Sequence, residues 1–541
     1  MRATDPSAIS DSAARPPVEE PTPPARRAVT GGALGLLSGL VALGVAQLAA
    51  GLLGGASSPI LAVGSVVVDA TPEAIKSFAI RAFGTADKPV LLAGIGVVLV
   101  VVAVVVGIAS VRRPALAVGG LALLGIVGAV AAVTRPANGP LAALPSLIGA
   151  GAGIGAYAVL RRAAGLAPIR SSGGDDPAPP IPSAPRPYDR RRFLWTGAAA
   201  VAVAFTADRA GGYLIRRADA SESRAAVRVP PALDAAPPVP PRADLRIAGV
   251  DPFLTPNDRF YRVDTALFVP SVSTDGWTLR VHGMVDRPIT LTYEELVARP
   301  LIERDITLAC VSNEVGGPYV GNARWVGAPL ADLLREAGVR PGADQLVSRS
   351  SDGWTAGTPT SVVLDGRDAM LAVSMNGEPL PLEHGFPVRM VVPGLYGYVS
   401  ATKWLVDLEL STFAAFDPYW VQRGWAEQAP VKTQSRIDTP RAGDRLRAGT
   451  IPVAGVAWAQ HRGIRAVEVQ VDDGPWIPAE LGAEDTVDTW RQWMFPWEAT
   501  AGTHRLTVRA TDGSGIEQTA EVVPPFPDGA TGHHMIEVDV T

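Results

Sequence analysis

Four apolar runs crowd the first 160 residues and decide most of what this chain can become: Val29 to Gly55, Pro89 to Ser110, Pro114 to Thr134 and Leu141 to Leu160. Each is near the ~20 residues a helix needs to cross the hydrocarbon core of a bilayer. In that solvent a backbone must satisfy its own hydrogen bonds, so these runs are expected as transmembrane helices. The mean hydropathy of +0.19 comes largely from them, and the rest reads as an ordinary water-soluble chain. Gly35 with Gly39, and Gly149 with Gly153, have the small-residue spacing that lets helices approach closely in lipid. The run Gly149 to Gly153 lacks the spacing of a phosphate-binding loop and follows no strand, so helix packing is its expected use.

Arginines orient the helices. Arg26 and Arg27, Arg112 and Arg113, and Arg161 and Arg162 all fall on one side when the spans are counted. The positive-inside rule makes that side the cytoplasm. The segment from Ser57 to Lys88 mixes Lys76, Arg81 and Lys88 with Asp69, Glu73 and Asp87, which leaves the assignment standing. Further on, Arg190-Arg191-Arg192-Phe193-Leu194-Trp195 leads into an Ala/Val run ending at Phe205. This segment resembles a twin-arginine export signal placed inside the chain, or else it is a fifth span. Either reading puts the chain beyond about residue 215 outside the cell membrane. The expected plan is a disordered cytoplasmic N-terminus (1–28), four membrane helices (29–162), a Pro-rich linker (163–189), the signal or fifth helix (190–214) and a Pro-rich spacer (215–244).

The charge balance of 48 basic against 53 acidic residues excludes a basic field for nucleic acid. Alternation from Thr278 to Ile289 predicts a strand, and Tyr293 to Val297 and Ala328 to Ala337 predict helices. Further strands are expected at Gln345–Arg349, Val388–Val392 and Trp404–Leu410, which makes residues 245–425 an α+β domain. After Pro430, short strands are predicted at Val453–Trp458, Ala466–Val471, His504–Ala510 and Ile516–Val523. Their spacing and the Asp-Gly turns between them predict a β-sandwich over 430–541.

Cys310 is the single cysteine, so it forms no internal disulfide and any special value lies in its sulfur. On its own it reads as a small buried hydrophobe. Its company says more. Thr255-Pro256-Asn257-Asp258-Arg259-Phe260-Tyr261-Arg262 opens the domain, and Gly321-Asn322-Ala323-Arg324-Trp325 follows the cysteine. Ser350-Ser351-Asp352-Gly353-Trp354 comes next, then Met375-Asn376-Gly377-Glu378-Pro379-Leu380-Pro381 and His384-Gly385-Phe386-Pro387-Val388-Arg389. Pro393-Gly394-Leu395-Tyr396-Gly397 closes the set, with Ser400, Thr402, Lys403 and Trp404 behind it.

Over 245–425 these segments resemble the molybdopterin-binding domain of the sulfite oxidase family. From Lys432-Thr433-Gln434-Ser435-Arg436-Ile437 onward the chain resembles that family's immunoglobulin-like dimerisation domain. The resemblance implies a molybdenum-molybdopterin cofactor with Cys310 as the thiolate ligand of the metal, a soft donor that binds deprotonated. It also implies Asp258, Tyr261, Ser351, His384, Arg389, Ser400, Thr402 and Lys403 as cofactor contacts, the cations and hydroxyls facing its phosphate. The plain alternatives are a surface ion pair for Arg389, a structural histidine at 384 and a turn serine at 351.

The chain departs from the family's pattern after the cysteine, where Cys310-Val311-Ser312-Asn313-Glu314-Val315 carries no arginine. Trp354 stands where sulfite oxidisers carry a substrate-side tyrosine, and Arg262 and Arg324 are the nearby sources of positive charge. A dianion would therefore meet a weaker positive field, opposed by Glu314. The first 281 residues hold no His, no Cys and no Met after Met1, so no haem is expected in the membrane half and a separate redox partner must exchange electrons. The expectation is a membrane-anchored, outward-facing molybdopterin oxidoreductase, a homodimer by family resemblance. It would transfer an oxygen atom on a small sulfur- or nitrogen-containing substrate. A reductase of S-oxides and a non-catalytic binding protein are the alternatives.

Overall fold

A computed structural model describes residues 24–53, 58–72, 75, 78, 82–83, 87–135, 139–166, 190–217 and 220–541. The chain divides into two compact units, one of helices reaching to Leu214 and one running mainly from Ile215 to Thr541.

The first unit contains α1 (Pro24–Leu53), the start of α2 (Pro59–Ala70), α3 (Asp87–Ser110), nearly all of α4 (Ala115–Val133), α5 (Leu144–Ala163) and most of α6 (Arg190–Arg217). Among the described residues four helices are long and apolar enough to cross a membrane, at Ala25–Leu53, Lys88–Ser110, Ala115–Val133 and Pro140–Ala163, and they coincide with the four apolar runs. Residues 24–28, expected as disordered, are the first turn of α1; Pro24 suits a position where no backbone N–H is needed. The rest of the N-terminus, 1–23, and residues 167–189 of the linker lie outside the described residues. Glycines permit the packing. A Cβ on Gly35 would lie 1.9 Å from the Ala103 carbonyl, and one on Gly149 would lie 2.5 Å from that of Ala42. Gly151, in the middle of the glycine run, faces open space within α5, so the run is a helix surface and not a phosphate loop.

The second unit contains two sheets around one core. The first has the order β2-β1-β10-β5-β6, built from β1 (Thr278–Gly283), β2 (Ile289–Thr292), β5 (Gln345–Ser350), β6 (Thr355–Pro359) and β10 (Leu405–Ser411). The second runs β3-β4-β7-β8, with β3 (Ile302–Ala309), β4 (Val320–Pro329), β7 (Met370–Met375), β8 (Glu378–Pro379) and β9 (Arg389–Val391) paired to β7. Only β1 and β10 run parallel in the first sheet. Leu279, Val281, Leu408 and Leu410 from one sheet and Ile306, Trp325, Leu371 and Val373 from the other are buried in a shared core. The strand expected over 278–289 ends at Gly283, where φ is 88° and a Cβ would meet the Leu410 carbonyl at 2.3 Å. The chain turns there and returns as β2, antiparallel to β1. Thr292 then caps the helix Tyr293–Val297 with a complete capping box to Glu295.

Residues 229–241, expected as a spacer, lie along this domain as a strap. The Leu233 N–H donates to the Leu301 carbonyl (2.9 Å), and the Glu303 N–H donates to the Asp234 carbonyl (2.9 Å). Val227 and Ala243 at its ends are buried in the core. Proline keeps the segment extended without preventing its carbonyls from accepting.

From 434 the chain builds two more sheets, β11-β13-β17-β16 and β12-β19-β18-β14-β15. Their strands are β11 (Gln434–Thr439), β12 (Arg445–Leu446), β13 (Gly449–Trp458), β14 (Ile464–Val471), β15 (Trp476–Pro478), β16 (Glu480–Leu481), β17 (Arg491–Ala499), β18 (Gly502–Asp512) and β19 (His534–Val540). Val453, Trp493 and Trp497 of one sheet are buried with Val467, Leu506 and Ile536 of the other. The strand expected at Ile516–Val523 is irregular. Gln518 there is buried, and its side chain bonds Ser435, the Ala510 N–H and the Gly532 carbonyl. Sheet pairing would compete with that crosslink.

Candidate functional site

Cys310 is the first residue past β3. Its N–H donates to the Tyr319 carbonyl (2.9 Å), which closes the loop that returns as β4. Asn313 is buried inside the loop, where its N–H donates to the Cys310 carbonyl (3.1 Å) and its Oδ1 accepts from the Tyr319 N–H (2.7 Å). A Cβ on Gly317 would lie 2.6 Å from that Oδ1, so glycine is needed for the loop to close around Asn313. The C-terminal sheets grip the same loop. Arg436 Nη1 donates to the Gly317 carbonyl (3.0 Å), and the His534 ring lies so close to Gly316 that a Cβ there would be 2.2 Å from it. Glu314 is exposed, and Val315 lies at the contact with Gly532.

Burial pushes the Cys310 thiol up, while hydrogen bonds from the Ser312 backbone and hydroxyl and the charge of Lys403 favour the thiolate. Tyr261, raised by burial, feels both Cys310 and Arg389, which places these three side chains in one electrostatic neighbourhood. Arg389 is buried against the Trp325 ring, 5.0 Å from its centroid, and desolvation lowers its pKa to about 10. Among the described residues it donates to the His384 (3.2 Å) and Ala401 (3.4 Å) carbonyls, and its buried Nε has no hydrogen-bond partner. Lys403 is pushed down to about 8 by burial. Its ammonium contacts Asp264 Oδ2 (2.7 Å) and the Glu383 carbonyl (3.1 Å). Arg262 donates through Nε to the same Asp264 oxygen (2.8 Å).

His384 donates from Nε2 to the Asn257 carbonyl (3.1 Å), which, being an acceptor only, sets the tautomer. Burial first, then Arg389 and Lys403, lower its pKa to about 3, so the ring is neutral at pH 7. Its edge meets Phe260, at 5.5 Å between centroids, and Phe260 in turn stacks on Tyr261 at 5.2 Å. A hairpin turn holds this segment in place. Asn376 (φ 52°) and Gly377 (φ 81°) form the two-residue turn between β7 and β8. The Asn376 amide donates to the Thr255 carbonyl and to Asn257 Oδ1, both at 2.9 Å, and its Oδ1 accepts from the Arg324 N–H.

Of the residues expected here, Cys310, Tyr261, Arg262, His384, Arg389 and Lys403 are brought together. Ser351 joins them through backbone: its N–H donates to the Trp404 carbonyl (2.8 Å), while its buried hydroxyl has no hydrogen-bond partner among the described residues. The Ser400 hydroxyl is spent on the Leu395 and Tyr396 carbonyls, and that of Thr402 on Ser348 (2.7 Å). Asp258 is exposed. Trp354 is half-buried in the turn between β5 and β6. Arg324 is held by Asp305 at 2.6 and 2.8 Å. Sequence reasoning missed Asp264, Ser312, Asn313 and Arg436. An Arg-x-Asp spacing marks Asp264, and the others carry no local signal.

The family model described as an oxidoreductase molybdopterin binding domain matches residues 266–420. The mitochondrial sulfite oxidase of Drosophila melanogaster is 31% identical over 307 residues, 48% of this chain and 52% of that protein. The sulfite oxidase of Gallus gallus is 31% identical over 322 residues, 50% of this chain and 69% of that protein. The chain belongs to the sulfite oxidase family. It spans just over half the length of the first curated relatives it matches. Among solved structures, the sulfane dehydrogenase SoxCD from Paracoccus pantotrophus aligns with a TM-score of 0.48 at 22% identity, over 54% of this chain and 84% of that one.

The residues of this sulfite oxidase family member fit a phosphate-bearing cofactor. Arg389 is buried and Lys403 nearly so, its side chain 11% exposed, beside a third cation, Arg262; Asp264 pairs with both Lys403 and Arg262. Two buried polar atoms of the site, Arg389 Nε and Ser351 Oγ, have no hydrogen-bond partner among the described residues. Orphaned buried donors of this kind are costly unless a ligand meets them.

Proposed function

We propose that the chain is a membrane-anchored molybdopterin-dependent oxidoreductase that transfers an oxygen atom on a small substrate. Its catalytic unit would be extracytoplasmic, its C-terminal sheets an immunoglobulin-like dimerisation domain, and a separate protein its electron partner. The observation that carries this reading is the buried cation cluster with its orphaned donors, beside the strand-end thiol of a sulfite oxidase family member. Cys310, buried at the end of β3, would be the thiolate that the family resemblance assigns to the metal.

In this reading the cofactor supplies two-electron oxygen-atom chemistry at molybdenum. Cys310 provides the protein's ligand. Arg389 and Lys403 hold the phosphate end, Ser351 gives it a hydroxyl, and neutral His384 presents a hydrogen-bonding edge. Tyr261 stays protonated, since burial raises it, and remains a donor. Asn313 and Ser312 keep the sulfur at the end of β3.

Two pairings favour an uncharged S-oxide over dianionic sulfite as substrate: Arg262 shares Asp264 with Lys403, and Arg324 is held by Asp305. A dianion would find neither guanidinium free of a carboxylate. The test is metal and pterin analysis of the detergent-extracted protein, followed by assay with sulfite and with a sulfoxide. Molybdenum and pterin in equal amounts are expected, with turnover of the sulfoxide above that of sulfite; a matured preparation without either component refutes the assignment.

A further inference from the structure

α6 begins with the three arginines that look like an export signal, yet one of its faces is already occupied. Counting from Phe193, the inward positions are Phe193, Gly197, Ala200, Ala204, Ala207 and Gly211, alternating steps of four and three. All are buried except Ala200, which packs against the buried cluster containing Leu34 and Phe193. Such a step pattern is that of a seam between two helices crossing at a shallow angle.

The partner is α1, and the contact is backbone to backbone. A Cβ on Gly44 would lie 2.4 Å from the Ala204 carbonyl oxygen, and one on Gly51 would lie 2.8 Å from that of Gly211. In return, a Cβ on Gly211 would lie 2.4 Å from the Gln47 carbonyl oxygen. A Cβ on Gly197 would lie 3.3 Å from the Leu37 side chain. The positions Leu37, Gly44 and Gly51 on α1 are themselves spaced by seven. Approach this close is what small residues permit between helices in lipid, where dispersion and not water exclusion holds them.

We infer that the small-residue face of α1 is the docking surface for α6 of the same chain, and that α6 is retained as a fifth member of the membrane bundle. A segment removed after export would leave Gly44 and Gly51 facing an empty groove in α1. The inference concerns the membrane unit alone and stands whether or not the catalytic reading is right.

The test uses the full chain with one tag at each end, expressed in a bacterial membrane, and with a protease site inserted within residues 170–186. Before cleavage, a single polypeptide carrying both tags is expected; a shorter species bearing only the C-terminal tag would overturn the inference. After cleavage in mild detergent, both fragments should co-purify on either tag. Gly211→Leu should separate them, while Gly155→Leu, at a glycine facing open space, should leave them together. Separation of the unmodified fragments, or their persistence together in Gly211→Leu, refutes the seam.

Discussion

Arg436 tests whether the C-terminal sheets merely adjoin the cysteine loop or hold it. Its side chain is 7% exposed and pairs with Asp438, also 7% exposed, at 2.5 Å, and with the more open Asp251 at 2.7 Å. Its Nη1 donates to the Gly317 carbonyl in the loop that begins at Cys310. Arg436→Met keeps the bulk and removes every one of these bonds. Breaking a buried ion pair from one side costs about 3–5 kcal/mol, because the remaining carboxylate stays buried and unpaired. In a domain of this size that is roughly 6–10 °C in melting temperature. The double variant Arg436→Met with Asp438→Leu separates the two roles. Replacing both partners with apolar residues should return most of the lost stability. The Gly317 clamp stays lost, so cofactor retention and turnover should remain low in the double variant. Thermal unfolding of the purified chain and its molybdenum content are the two measurements. If the double variant recovers both, Arg436 is only a structural ion pair and the clamp does not exist.

Three further outcomes follow from the same geometry. Cys310→Ser should fold normally, since the backbone bond to Tyr319 is unaffected, and should lose turnover; full activity would exclude the sulfur as a ligand. Asn313→Ala removes the brace of the loop and leaves the Tyr319 N–H without its acceptor, at a cost of about 1–3 kcal/mol, and should lower metal content while leaving α-helical circular dichroism unchanged. Cofactor-free protein should weaken in acid. The folded pKa of His384 is lowered from 6.5 to about 3, so the unfolded state binds more protons between those values and stability falls as pH drops through that window. At pH 4 the loss is about 3 kcal/mol, and His384→Asn should remove that part of the pH dependence; an unchanged acid profile in the variant refutes the assignment to His384.

What was readable in the sequence was local. Thr292-Tyr293-Glu294-Glu295 announces a capped helix because every bond in the cap lies within three residues. The four spans were readable because lipid demands continuous apolar length. Cys310, His384, Arg389 and Lys403 stood out through the resemblance to a known family, and the fold brings them into one electrostatic neighbourhood. Asp264 did not stand out, since a carboxylate in a polar turn looks solvated until Lys403, 139 residues away, closes on it. The strand Arg491–Ala499 was hidden by Pro496, which interrupts a β pattern; the proline is tolerated because it sits directly opposite Pro452 of β13. Asn376-Gly377 was read as part of a cofactor motif, and its observed contacts are with the 255–257 segment and Arg324.

The buried cations bear on the order in which the molecule is made. Arg389 and Lys403 are desolvated, and desolvation depresses both pKa values. An empty chain therefore carries repulsion that a polyanion would relieve. Binding of such a ligand to the native state alone adds stability in proportion to the logarithm of its concentration over its dissociation constant. Loaded and empty chains thus differ in how readily this region opens, and any machinery that discards loosely folded protein would sort one from the other without ever recognising the cofactor itself.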